Sequence, residues 1–345
     1  MSHLSDLLRE RPLVQAPMAG GTSTPELVEA VVRAGGTGFL AAGYLAPERV
    51  EEQVAQVRGR GVSAFGVNVF VPGPAADPAV VEGYRGELHA EAERYGVEPG
   101  APAHDDDAWD AKIDLLERLG VPVVSFTFGC PDGNVLRRLQ EAGSAVVVSV
   151  TSVDEALLAV ARGADGVCAQ GAEAGGHRAA FDPARDGNLP AVELVAAVAG
   201  AVEAPVIGAG GVMTGGDAAA LLDAGAAAVQ AGTAFLRCPE SGARPAHKRA
   251  LADPALTGTA LTRAFTGRPA RGLVNRFVTE HPEAPDAYPE LHHMTRPLRA
   301  AAARADDAGG MALWAGTGFR RATDDPAAEV VGRMRREAAL AGARL

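Results

Sequence analysis

Gly166-Val-Cys-Ala-Gln-Gly-Ala-Glu-Ala-Gly-Gly-His177 sets a short apolar run against a glycine-rich loop that ends in an imidazole. A similar run and glycine turn follow at Pro205-Val-Ile-Gly-Ala-Gly-Gly211, and another at Ala227-Ala-Val-Gln-Ala-Gly-Thr233. A buried strand, a glycine turn and then a helical pattern make the βα unit of a parallel sheet. Repeated around a closed sheet, such units gather their loops at one end, where barrel enzymes keep their chemistry.

The pattern extends toward the N-terminus. Leu13-Val-Gln-Ala16, Thr37-Gly-Phe-Leu-Ala-Ala42, Ala64-Phe-Gly-Val-Asn-Val-Phe70, Pro122-Val-Val-Ser-Phe-Thr-Phe128 and Ala145-Val-Val-Val-Ser-Val150 read as five earlier strands. Helix signals lie between them. Thr24 before Pro25 is an N-cap with proline at the first helical position, Pro47 starts the next helix, and Ser152 with Glu155 reads as a capping box. Trp109 to Leu119, Leu189 to Ala199 and Gly216 to Asp223 are further helices. Eight strands in this spacing predict an α/β fold, a (β/α)8 TIM barrel over residues 1–237. A doubly wound open sheet is the competing arrangement. An enlarged crossover follows the third strand at about residues 71–107, with a helical piece from Asp77 to Tyr95. Beyond Arg237 the rhythm stops. Residues 238–345 read as a helical C-terminal extension packing on the barrel, helical in parts over His247 to Ala264, then over Pro289 to Asp306 and Thr323 to Leu345. Trp314 and Phe319 need that packing for burial.

Composition narrows the class of protein. Of 345 residues 47% are apolar, enough for a large core, and the net charge of -11 argues against nucleic acid as a partner. No apolar run approaches the ~20 residues of a membrane span. Cys130, Cys168 and Cys238 have neither disulfide nor metal spacing, which fits a reducing, cytoplasmic setting. Cys168 sits in an apolar run as a core filler.

Three groups of residues could carry chemistry. Gly210 and Gly211 close the seventh strand, and Gly232 and Thr233 the eighth, where barrels bind phosphate on backbone N–H groups beside a helix start. Ordinary tight turns are the plain alternative. His177 follows Gly175 and Gly176, a backbone thin enough to pass close to a planar ring. Its imidazole suits proton transfer, though a surface histidine bound to Glu173 or water accounts for it too. Asn68, Gln170 and Ser125 place polar groups inside apolar strands, where they pair either with a ligand such as a flavin's edges or with backbone. Gln15 and Met18 meet the same cavity if the first strand ends there. Arg268, Arg271, Asn275 and Arg276 brace the tail, supply a cation near a cofactor, or form a solvated face. The remaining histidines, including His247 and the pair His292-His293, lack such a context, and no metal site is expected.

With these residues in view the chain resembles the nitronate monooxygenases, formerly 2-nitropropane dioxygenases. The likeness runs through Gln15-Ala-Pro-Met-Ala-Gly-Gly21, Ala34-Gly-Gly-Thr-Gly-Phe-Leu-Ala-Ala-Gly-Tyr44, Phe65-Gly-Val-Asn-Val-Phe70 and Ser125-Phe-Thr-Phe-Gly129. It continues through Ala174-Gly-Gly-His-Arg178, Thr266-Gly-Arg-Pro-Ala-Arg-Gly272 and Leu313-Trp-Ala-Gly316. The resemblance implies FMN as cofactor, His177 as the active-site histidine, and Met18, Asn68, Gln170, Gly175 and Gly176 along the flavin. Gly210, Gly211, Gly232 and Thr233 would hold its phosphate. Thr127 stands where this family often has histidine, and Thr317 where it often has glutamine. The implied reaction is oxidation of an alkyl nitronate, or a nitroalkane, by O2 to a carbonyl compound and nitrite, in a monomer or homodimer. A flavin enoyl or quinone reductase using NAD(P)H on the same fold is the alternative, as is a colourless lyase or isomerase.

Overall fold

The computed structural model describes residues 3–185 and 187–345. Eight parallel strands form one sheet: β1 (Leu13–Gln15), β2 (Gly38–Ala41), β3 (Phe65–Phe70), β4 (Val123–Thr127), β5 (Ala145–Val150), β6 (Gly166–Gln170), β8 (Val206–Ala209) and β9 (Ala228–Ala231). The short strand β7 (Gly176–His177) follows β6 and belongs to a second sheet. In the first sheet the spatial order is β1-β9-β8-β6-β5-β4-β3-β2. Closure comes where β2 returns to β1. Gln15 N donates to Thr37 O and Thr37 N to Leu13 O, both at 2.9 Å, and the Gln15 side chain accepts from Phe39 N at 3.0 Å. The sheet is therefore a barrel and not an open doubly wound sheet. Gln15 is fully buried in that seam and does not line the cavity at the mouth, so its expected place there is corrected.

The strands are continuous apolar runs because they are covered on both faces. Val14, Phe39, Val123, Val147, Cys168 and Ile207 fill the barrel interior. Helices cover the outside: α2 (Pro25–Arg33), α3 (Pro47–Gly59), α6 (Trp109–Leu119), α7 (Gly133–Glu141), α8 (Val153–Ala161), α9 (Ala191–Ala199) and α10 (Gly215–Asp223). Thr24 caps α2 as expected, accepting from Leu27 N at 3.0 Å. Ser152 caps α8, but Glu155 turns to the N–H of Thr151 at 2.6 Å instead of closing a box on Ser152. The complete capping box is at Thr214 and Asp217 on α10. Like α7, α1 (His3–Glu10) has no counterpart in the sequence reading; it drives Leu4 and Leu8 into the base of the barrel. Their i, i+4 spacing is the signal that identifies it.

The enlarged crossover holds two helices, α4 (Pro78–Glu87) and α5 (His89–Tyr95). The extension holds α11 (Pro245–Ala252), α12 (Arg276–Glu280), α13 (Glu290–Arg304) and α14 (Ala327–Leu340). Crossover and extension share a second core, in which Tyr84, Leu88, Phe265, Phe277, Leu291 and Met294 are buried. Two features of the extension differ from an all-helical cover. Thr259 to Thr262, expected within a helical stretch, is strand β10, and Ala270–Leu273 is β11. These pair antiparallel with each other, and β11 pairs with β7 at Ala270↔His177 and Arg271↔Gly176. Neither run is long or regular enough to announce itself; each is made a strand by its partner. The second feature is α14, which packs between α10 and α2 with Val330, Val331 and Met334 fully buried. It completes the barrel's outer ring, so residues 238–345 are only in part a cover.

Candidate active site

The loop after β6 is tightly held. Gln170 donates through Nε2 to His177 O at 3.0 Å and accepts at Oε1 from Arg178 Nη1 at 3.1 Å and Ala179 N at 2.9 Å. Its amide is thus taken up by the loop; Gln170 borders the cavity but orders His177 more than it offers itself to a ligand. Gly175 is required by crowding. A Cβ there would stand 2.4 Å from the backbone of Ala315 and Gly316. Gly176 has φ +78°, the left-handed region that favours glycine. From the other side, Arg178 N donates to Pro269 O at 2.8 Å and Arg271 Nε to Ala172 O at 2.9 Å.

His177 is thereby aimed into a cage of rings. Its centroid lies 5.5 Å from Phe128, 5.9 Å from Tyr288 and 5.5 Å from Trp314. Nε2 is 3.0 Å from Thr266 Oγ1. Burial, helped by the charges of Arg268 and Arg299, pushes the imidazole down from 6.5 to about 3. It is neutral at any ordinary working pH. The bland reading, a surface histidine bound to Glu173, is set aside, because Glu173 Oε2 instead accepts from Ala191 N at 2.9 Å.

A cavity of about 650 Å³ opens at the C-terminal ends of the strands. His177, Met18, Asn68, Gln170, Gly175, Gly176, Gly210, Gly211, Gly232 and Thr233 all line it. Whether a flavin nucleotide fits is decided by the polar groups facing it. Gly210 and Gly211 have φ +120° and +71°, and their N–H groups, like those of Gly232 and Thr233, donate to no protein acceptor among the described residues. Thr233 Oγ1 accepts from Gly316 N at 3.0 Å, which leaves its proton to donate. Such a cluster of unused donors could hold a phosphate. The start of α10 is not part of it, since Met213 N and Thr214 N bind Asp217 and Gly215 N binds Glu337. Away from these turns, Asn68 Nδ2 is held by Ser125 Oγ at 2.9 Å and Thr127 Oγ1 at 3.0 Å, leaving Oδ1 to accept from a ligand. Donors at one end, an apolar cage and an acceptor at the other suit FMN.

Other expected positions part company. Thr127 lines the cavity, whereas Thr317 is exposed and does not. Arg268 lies behind the wall with its guanidinium 4.1 Å over the Phe128 ring. Asn275 caps α12, accepting from Val278 N at 3.2 Å, and Arg276 pairs with buried Glu91, so both brace the extension. Tyr44, Thr266, His292, Arg299 and Trp314 line the cavity without having been singled out for it. The His292-His293 pair was visible in sequence, but only the fold shows His292 stacked on Tyr44, centroids 4.0 Å apart.

A barrel with a cluster of unused donors and a caged neutral imidazole at its mouth fits a flavoenzyme of the TIM-barrel class. The nitronate monooxygenase family model matches residues 1–335, and the chain belongs to that FMN-dependent family of oxidoreductases acting on nitronates. A probable nitronate monooxygenase of Staphylococcus aureus (strain MSSA476) is 38% identical over 337 residues, 93% of this chain and 92% of the relative. The nitroalkane oxidase of Streptomyces ansochromogenes, a crystal structure, matches at TM-score 0.95 and 51% identity over 99% of each chain. FabK from Thermotoga maritima matches at TM-score 0.76 and 26% identity over 99% of this chain and 97% of that one.

Proposed function

We propose that this chain oxidises small alkyl nitronates with dioxygen to a carbonyl compound and nitrite, and parent nitroalkanes more slowly. The observation that carries the reading is the caged, neutral His177 in one cavity with the phosphate cradle. Bound FMN would supply the electron transfer from substrate to dioxygen. The chain's residues would do the rest. Gly210, Gly211, Gly232 and Thr233 hold the phosphate on unused donors, and Met18, Asn68, Gly175 and Gly176 border the ring system. Phe128, Tyr288 and Trp314 exclude water from around His177. An imidazole that binds a proton only below about pH 3 is a weak base but a competent hydrogen-bond partner. It therefore suits a substrate that arrives already deprotonated. In this reading the enzyme is cytoplasmic, a monomer or homodimer, and its only partners are a small nitronate or nitroalkane and O2.

The test is anaerobic. FMN-loaded protein is mixed with ethyl nitronate and, separately, with NADH, and the flavin absorbance is followed. The expected result is a prompt spectral change with nitronate, a slow one with NADH, and nitrite release once air is admitted. Prompt bleaching by NADH alone would overturn the reading in favour of a reductase.

A further inference from the structure

Arg299 is a largely buried cation with no carboxylate partner among the described residues. It projects from α13 into the cavity that holds His177. Its Nε donates to Thr295 Oγ1 at 3.1 Å, and its Nη2 to His292 O at 2.9 Å and toward His292 Nδ1 at 3.3 Å. Thr295 is itself fixed by the Phe265 carbonyl, and His292 by its stack on Tyr44. The guanidinium is thus locked on two sides, while Nη1 has no protein partner among the described residues, and no carboxylate pairs with the group. Burial lowers its pKa to about 10, a value that still leaves it charged at neutral pH. A buried charge is ordinarily paired, because an unpaired one loses its hydration for nothing. The cavity supplies no counter-charge of its own: its described lining includes Arg244, Arg296 and Arg299 but no Asp or Glu. Arg244 and Arg296 are exposed, whereas Arg299 lies deeper. The phosphate cradle is a separate feature, built from Gly210, Gly211, Gly232 and Thr233 on β8 and β9 turns.

We propose that Arg299 is the binding residue for the planar O–N–O group of the anionic substrate, gripping it through the free Nη1 edge while His177 holds it from the β7 side. The proposal rests on the nitronate reading of the cavity and assigns a substrate-selecting role to a residue outside the glycine-histidine loop. A charge-assisted hydrogen bond from Nη1 favours an anionic oxygen, and a neutral nitroalkane gains much less from it. Arg299 therefore selects nitronate over nitroalkane, and it also holds the product nitrite, which has the same planar two-oxygen edge.

The experiment uses FMN-loaded protein and sodium nitrite as probe, with sodium chloride at equal ionic strength as control. Binding is read by calorimetry and flavin difference absorbance for wild type, Arg299→Met and Arg299→Lys. Wild type is expected to bind nitrite, and Arg299→Met to weaken it about 10- to 100-fold. Arg299→Met should raise KM for ethyl nitronate by the same factor and change KM for nitroethane less than about 3-fold. Arg299→Lys keeps the charge but loses the anchoring on Thr295 and His292 that aims Nη1, so it should weaken nitrite about 3- to 10-fold. Unchanged nitrite affinity in either variant that retains FMN, or equal effects on nitronate and nitroalkane, would overturn the proposal. Should wild type bind nitrite through Arg299 yet fail to oxidise ethyl nitronate, the proposed function falls and the anion site stands. Should it oxidise ethyl nitronate with KM unmoved in both variants, the anion site falls and the function stands.

Discussion

At the scale of single residues the proposed function rests mostly on His177, and its charge state makes two expectations. With preformed nitronate, kcat/KM should show no inflection near pH 6.5, because the imidazole is neutral down to about 3 and does not titrate in the working range. A pH-rate profile between about pH 5.5 and pH 8.5 checks this. His177→Asn should retain bound FMN and lose turnover by about 10²- to 10⁴-fold. Unchanged rates on both nitronate and nitroethane would remove the histidine from the reaction. Gly175→Ala should loosen the cofactor, since its methyl must displace Ala315 and Gly316, 2.4 Å away, and Gly316 N anchors Thr233. Flavin titration should show FMN affinity down about 10-fold or more. Residue types that do one job were legible. Glycines before an imidazole and glycines at strand ends led directly to the cavity. Amides were not: Gln170, Asn68 and Gln15 look alike in sequence, yet one orders a loop, one faces the cavity and one closes the barrel seam. Only the location of their partners separates them.

Elements show the same division. The eight barrel strands were read within about a residue of their ends, because each is an apolar run bounded by turn residues. In the hairpin β10–β11, Thr259-Ala-Leu-Thr262 was read within a partly helical stretch and Ala270-Arg-Gly-Leu273 was not assigned, because neither has apolar alternation of its own. Their strand character comes from Gly176 and His177, remote in sequence. That pairing makes the hairpin a brace for the loop that carries His177. Gln170→Leu tests the brace from the opposite side, since it removes the three hydrogen bonds that hold Arg178, Ala179 and the His177 carbonyl. The variant should lower the unfolding temperature by several degrees and cut nitronate turnover at least about 10-fold while keeping FMN. Loss of FMN with turnover per bound flavin intact would instead make Gln170 a cofactor contact.

For the molecule as a whole, the chain's last helix completes its first structure. α14 seals the barrel between α10 and α2, so deleting residues 327–345 uncovers an apolar face and should leave aggregated protein in place of a barrel with an open mouth. Acid sensitivity is a second property of the whole. His177, His247 and His292 are held neutral by burial, with values lowered from 6.5 to about 3, 4 and 2. A histidine whose folded pKa is depressed contributes stability that is fully present above its unfolded value. That contribution is lost as pH falls below about 6.5 toward the folded value. The unfolding temperature should therefore drop by on the order of 5 °C or more between about pH 7 and pH 5, and mutation of these histidines to non-titrating residues should flatten the slope. The central claim is that the unused donors of Gly210, Gly211, Gly232 and Thr233 and the caged His177 serve one FMN. A crystal structure of the FMN-loaded protein tests it most directly. The phosphate is expected on those four N–H groups with the ring system against His177; a phosphate seated among Arg244, Arg296 and Arg299, or a ring system turned away from His177, would contradict it.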